Sequence, residues 1–552
     1  MEELHPEHDR RWWILAVLCL SLVMIIVGNT VLNVALPTLV RELDASSTEL
    51  QWIVDIYALV FAGLLLTAGA LGDRFGRKGA LTVGLTIFGA GSGLAAFATS
   101  PIQLVATRAI MGLGAALVMP ATLSILTTVF PPRERARAIA VWAGFAGAGA
   151  AIGPIAGGYL LQHFWWGSVF LVNLPVIAIA LVAGNRIVPR SSDPRHVPLD
   201  PVGAGLSIVG LGTLLYAIIE APTHGWAAPT TVLTGAVAIV ILALFGAWEL
   251  RSSHPMLDLR LFRNPRLSAA SSAIMLVFFA MFGTFFLFTQ YLQLVKGYTA
   301  LGAGLRTLPV ALTLMVVAPL SARLVERFGP RRVVSGGLTV VAGGLALLST
   351  CSAATSYPQL AVSLMVLAAG MALSMAPATT SIMASLPQGK AGVGSAVNDT
   401  TRELGGALGV AVLGSLATSH YASGLAPALR GLSAPLAAQA RSSLGGALGV
   451  AGKLGGERGL QLADAARTSF VDAMGTALVV ASVVALLAAV VVGRFLPAQS
   501  PVHAAPAPRQ AAGSFGNGPS GALAPGAGPD VDGDEAAAMA ADQAARAGAL
   551  EP

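Results

Sequence analysis

The sequence predicts an all-helical protein that crosses a lipid bilayer about fourteen times, and three observations predict it. The first is composition: 55% hydrophobic and only 11% charged residues, with a mean hydropathy of +0.74, leave too little polar surface to face water. Soluble domains carry about 25% charged residues. The second is the recurrence of apolar stretches about 20 residues long, the length a helix needs to cross the hydrocarbon. The third is an alternation of charge between successive loops. Hydrocarbon offers backbone groups no partner, so these stretches must bond internally as helices.

In chain order the predicted spans fall at 13–36, 50–71, 79–99, 102–127, 137–161, 167–187, 202–221 and 229–249, then at 268–293, 300–322, 332–352, 358–378, 392–420 and 468–496. The first follows Arg10 and Arg11, but its apolar run exceeds the roughly 7–15 residues of a signal-peptide core and further spans follow at once. One set of alternate loops collects the cations: Arg74, Arg77 and Lys78; Arg133, Arg135 and Arg137; Arg186, Arg190 and Arg195; Arg251, Arg260, Arg263 and Arg266; Arg323, Arg327, Arg331 and Arg332. The other set holds little beyond Arg41 and Lys296 before a long loop at 421–467. Cations accumulate on the cytoplasmic side, so an even number of crossings puts both termini in the cytoplasm, at a cell (inner) membrane. The net charge of +6 and pI of 9.6 come from these loops and call for no nucleic acid. Cys19 and Cys351 lie in apolar runs, which excludes a disulfide framework and a cysteine metal site.

A loop repeat marks two parallel halves. Asp73-Arg74-Phe75-Gly76-Arg77-Lys78 returns as Glu326-Arg327-Phe328-Gly329-Pro330-Arg331-Arg332, each after a span running in the same direction. Parallel repeats about an axis along the membrane normal are one standard plan for transporters, with the site between the halves near the midplane. The expected organisation is a cytoplasmic N-terminus at 1–12, a six-helix bundle at 13–187, a linker with two additional spans at 188–267, a second six-helix bundle at 268–497 and a disordered cytoplasmic tail at 498–552.

The motifs resemble the major facilitator superfamily, and the helix number resembles its fourteen-helix drug:proton antiporter branch, over roughly residues 12–497. Gly69-Ala70-Leu71-Gly72-Asp73-Arg74-Phe75-Gly76-Arg77-Lys78 resembles the family loop that switches conformation; glycines permit the tight turn and a carboxylate beside cations can lock or release helix ends. Arg108-Ala109-Ile110-Met111-Gly112-Leu113-Gly114 is similar to the fourth-helix motif. Gly144 through Gly153-Pro154-Ile155-Ala156-Gly157-Gly158 looks like the antiporter motif of the fifth helix, where small residues allow close approach and Pro154 can kink the helix. Asn33 to Pro37, Gln51 to Tyr57 and Arg402 to Gly409 agree with the same branch. One departure stands out: where the branch usually carries an acidic residue in its first helix before Thr30, this chain has Gly28.

Proton-driven transport needs a carboxylate that takes up and gives up a proton, and few lie within spans. Asp55 and Arg108 sit at nearly equal depth, about 8 and 9 Å inside the outer ends of their helices, so an interaction that protonation of Asp55 releases is one reading. A solvated Asp55 near the helix mouth and a snorkelling Arg108 are the others. Asp399, Arg402 and Glu403 share one helical face; a coupling cluster and a static salt bridge fit equally. Asn33, Tyr57, Arg306 and Asn398 are candidates to line the substrate cavity, with Arg306 placed in the second half as Arg108 is in the first. No Ser-His-Asp order, HExxH, Walker loop or metal-ligand cluster is present, so neither catalysis, a cofactor nor ATP coupling is expected. The resemblance implies a monomeric secondary transporter, not an enzyme, that exports drugs, small amphipathic compounds or secondary metabolites in exchange for protons. A proton-coupled nutrient importer on the same fold and a membrane sensor that has lost transport are the rival readings.

Overall fold

The computed structural model describes residues 10–191, 200–255, 257–385 and 391–497. The segments expected at the extreme N-terminus and in the tail at 498–552 lie outside the described residues, as does Arg195. Among those described there are helices and turns and no strand. The first half contains α1 (Arg11–Leu43), α2 (Ser47–Phe75), α3 (Arg77–Ala96), α4 (Pro101–Val129), α5 (Pro132–His163), α6 (Ser168–Leu171) and α7 (Asn173–Ile187). Two helices follow, α8 (Pro201–His224) and α9 (Pro229–Arg251). The second half contains α10 (Pro265–Gln290), α11 (Ala300–Arg306), α12 (Leu308–Phe328), α13 (Pro330–Ser349), α14 (Tyr357–Ala384), α15 (Ala391–Leu425), α16 (Ala434–Ser442), α17 (Leu444–Leu454) and α18 (Gly456–Phe495).

Local chemistry sets where these helices begin. Ser46 and Glu49 form a capping box at α2, and Ser100, Asp200, Asn264 and Thr299 each accept a first-turn N–H at α4, α8, α10 and α11, satisfying donors a helix leaves unpaired. Proline occupies the first turn of α5, α8, α9, α10 and α13, where its missing N–H costs nothing. Twelve segments among the described residues are long and apolar enough to cross a membrane; α5 and α15, of 32 and 35 residues, add two more of sufficient length.

Two predicted spans are interrupted. The span at 167–187 divides into α6 and α7, and that at 300–322 divides at Thr307 into α11 and α12. In each case a proline stands just beyond the break, Pro175 and Pro309, and cannot donate to the carbonyl four residues back. The expected outer loop at 421–467 is largely helical: α15 runs on to Leu425, α16 and α17 follow, and α18 starts at Gly456. Its alanine- and leucine-rich sequence has the propensity for helix without the length to span.

The two halves pack alike. In the first, α1 lies against α5 and α7, α4 against α2 and α3, and α3 against α7. In the second, α10 lies against α15 and α18, α14 against α12 and α13, and α13 against α18. The loop repeat is equally structural: α2 passes into α3 through Gly76 (φ +112°) and α12 into α13 through Gly329 (φ +78°), a backbone region open to glycine at little cost. The fold is thus two six-helix bundles with α8 and α9 inserted between them in sequence. α9 packs on α8 and is otherwise turned outward, with 6% of its apolar window buried against 67% for the span beginning at α10, so lipid solvates its outer face.

Candidate functional site

Arg108 is wholly buried on α4 and reaches α2 and α1. Its Nε donates to the Ile53 carbonyl at 3.2 Å, one Nη donates to Asn29 Oδ1 at 3.2 Å, and the guanidinium lies 4.3 Å from the centre of the Tyr57 ring. The other Nη has no partner. A cation in an apolar interior survives on such charge-assisted bonds and the negative face of an aromatic ring. Gly112, one turn along α4, permits this approach: a Cβ there would stand 2.7 Å from the Tyr57 carbonyl oxygen.

Asp55 is also wholly buried, yet neither carboxylate oxygen has a hydrogen-bond partner. The expected pairing of Asp55 with Arg108 does not form, and helix geometry explains why. Residues two apart on a helix point about 200° away from one another, so Ile53 and Tyr57 face α4 while Asp55 faces elsewhere. One turn before it, Gln51 accepts from Ser415 Oγ of α15 at 3.0 Å; one turn after it, Ala58 and Leu59 pack with Leu215 and Ile219 of α8 and Ala407 and Ala411 of α15. Asp55 therefore lies on the stripe of α2 that meets α8 and α15, out of water and unpaired.

The cluster on α15 forms as the spacing predicts. Arg402 Nη1 lies 3.6 Å from Asp399 Oδ1, and the Arg402 guanidinium also sits 4.6 Å from the Phe278 ring centre. Asn398 donates to Asp399 at 3.4 Å and accepts from Thr379 at 3.1 Å. Glu403 is half-buried and within electrostatic reach of Arg402, Asp399 and Arg108.

Arg306 does not join them. It stacks 3.7 Å from the Tyr298 ring centre and 5.3 Å from that of Tyr357, and donates to the Gly302 carbonyl. Asn33 is half-buried on α1, and Tyr57 is buried with its hydroxyl unpartnered. Gly28 is buried where a Cβ would meet Phe88 at 3.3 Å and Asn173 at 3.5 Å. A side chain there would start in contact with both, close against the Phe88 ring. The polar residue that helix one offers Arg108 is Asn29, its neighbour, which the sequence reading passed over; an asparagine deep in an apolar span was the signal available.

The small residues of α5 hold the two halves together. Gly153 abuts Thr30 and Gly157 abuts Val31 of α1, while a Cβ on Gly158 would stand 2.6 Å from Leu301 Cα of α11, and Gly304 of α11 abuts the Pro154 carbonyl. Gly144 lies in α5, with its surroundings outside the described residues. Gln293 Nε2 donates to the Val34 carbonyl of α1 at 2.8 Å. The contacts between the halves, α5 with α11, Gln293 with Val34 and Gln51 with Ser415, lie in the part of the molecule toward the end of α1 and the start of α2. In the α2–α3 turn, Gly69 approaches Pro120 of α4 and Gly72 accepts from the Gly76 N–H. Arg77 donates to Ser191 and Thr128, Lys78 donates to the Asn185 carbonyl, and Arg74 extends over Phe75. The Asp73 side chain lies outside the described residues.

The sequence profile of the Major Facilitator Superfamily matches residues 18–410. The chain is 40% identical over 486 residues to the multidrug efflux pump LfrA of Mycolicibacterium smegmatis, covering 88% of this chain and 96% of that one. It is 37% identical over 486 residues to the methyl viologen resistance protein SmvA of Salmonella typhimurium, covering 87% and 97%. Among solved structures, a bacterial homologue of the human lysosomal transporter Spinster, inward-facing and unoccupied, superposes with a TM-score of 0.62 at 19% identity, covering 89% of this chain and 98% of that one.

Proposed function

The chain belongs to the major facilitator superfamily, and from that premise we propose that it exports drugs or small amphipathic organic compounds in exchange for protons by alternating access. It is a multi-pass membrane transporter and not an enzyme. The observation that carries the reading is the placement of Asp55: a buried carboxylate without a partner, on the seam where α2 of one half meets α15 of the other. A carboxylate so placed can hold a proton while the seam is closed and release it when the seam opens to water, which ties proton movement to the rocking of the halves. Glu403, next to Arg402 on α15, is the second proton-carrying candidate, on the helix that also carries the Asp399–Arg402 pair.

In this reading residues 13–187 and 268–497 are the moving bundles, 188–267 joins them through the two additional helices, and the glycine turns at Gly76 and Gly329 accommodate the motion. The contacts of α5 with α11 and of α2 with α15 close the outer side, with both termini in the cytoplasm of an inner-membrane monomer. Asn33, Tyr57, Asn398 and Arg306 remain, on this reading, the polar candidates for contact with the substrate.

A drug-accumulation assay in cells expressing the chain tests direction and coupling together. Expression should lower the steady-state level of a cationic dye, and an uncoupler should restore it. A rise in accumulation on expression would instead support a nutrient importer, and no change in either arm a protein that does not transport.

A further inference from the structure

The two copies of the loop repeat are used differently. In the first, the Arg77 and Lys78 side chains are taken up by Thr128 on α4 and the Asn185 carbonyl on α7. In the second, the guanidinium groups of Arg331 and Arg332 have no hydrogen-bond or ion-pair partner among the described residues. Both line a cavity of about 610 Å³ together with Phe328, Ser335 and Gly493. The cavity lies where α12 ends, α13 starts and α18 ends, three apolar spans, and so at the border of hydrocarbon and water. Two further cations flank it: Arg327, stacked 5.3 Å over Phe328, and Arg494, beside Gly493. Glu326, the acidic residue of this loop, is exposed and is not part of the lining.

Arg331 and Arg332 border an open-mouthed hollow large enough for a ligand headgroup, with the Phe328 ring and an exposed Arg332 at its rim and backbone at Gly493, where a Cβ would touch Ser335 at 3.6 Å. A guanidinium fork binds phosphate oxygens bidentately, and basic pockets between spanning helices on the cation-rich side suit lipid phosphates. We propose that this cavity holds the headgroup of an anionic phospholipid, its phosphate on Arg331 and Arg332 and its acyl chains along the outer faces of α12 and α18. The bound lipid then supplies the second loop's cations with the partners that Thr128 and Asn185 supply in the first.

Native mass spectrometry of the purified full-length chain, titrated with phosphatidylglycerol or with phosphatidylcholine, tests this directly. The wild type should retain one phosphatidylglycerol at far lower concentration than phosphatidylcholine. Arg331→Ala with Arg332→Ala should weaken that binding about thirtyfold, the effect of removing two interfacial charges. Gly493→Leu, which narrows the hollow beside Ser335 and leaves every charge in place, should weaken it as well, and serves if the alanine pair does not fold. Millimolar inorganic phosphate should not displace the lipid. Equal retention of the two lipids, unchanged binding in both variants, or displacement by phosphate alone would each overturn the assignment, the last by giving the cavity to a free anion.

Discussion

Arg108 binds the Ile53 carbonyl, the Asn29 amide oxygen and the Tyr57 ring at once, and this combination depends on a planar fork. A lysine keeps the charge but cannot span three partners on two helices. Arg108→Lys should therefore fold and still lose most of its efflux, by about tenfold or more, read as dye retained in expressing cells; a fully active lysine variant would show that charge alone is required. Removing a partner of a buried charge costs about 1–3 kcal/mol through the group left unsatisfied, so Asn29→Leu should lower the melting temperature of the purified protein relative to wild type. Arg108 was legible in the sequence because an ionisable residue in an apolar span is rare. The direction in which Asp55 points was not, because depth along a helix is read from residue number while azimuth depends on which neighbours that helix meets.

At the scale of the helix, the contact between α5 and α11 has no room for a side chain: Gly158 and Gly304 each lie against backbone of the other helix. Gly304→Leu should hold the outer ends of the halves apart. The expected result is a several-fold rise in labelling of a cysteine placed at Asn33 by a membrane-impermeant thiol reagent, in a chain whose Cys19 and Cys351 have been replaced, together with impaired transport. Unchanged labelling would mean that the contact does not close a gate. The small-residue run of α5 was visible in the sequence, but its partner was not, since α11 is only a short helix set off by Pro309. The helices α16 and α17 were missed for a related reason. A span is marked by its length, and neither α16, of 9 residues, nor α17, of 11, reaches it. Tyr421 nevertheless anchors them, donating to the Ala440 carbonyl, and Gly445 abuts Val40 of α1.

For the whole molecule, composition, span length and loop charge were enough to read an all-helical membrane protein, and one six-residue repeat was enough to read two halves. The packing of α1 to α7 recurs in α10 to α18 because both copies solve one problem: burying small-residue faces against each other in a solvent that gives helices no hydrophobic reason to associate. What the sequence could not hold is the conformer, in which the halves meet at the end where α1 finishes, since that is a property of one state among several. The account rests on a proton at Asp55 driving the exchange between such states. The most direct measurement is uptake of a cationic dye into proteoliposomes under an imposed pH gradient, comparing wild type with Asp55→Asn. The account predicts gradient-driven accumulation by the wild type, none by the variant, and dye-for-dye exchange retained in both. Full gradient-driven accumulation by Asp55→Asn would contradict it.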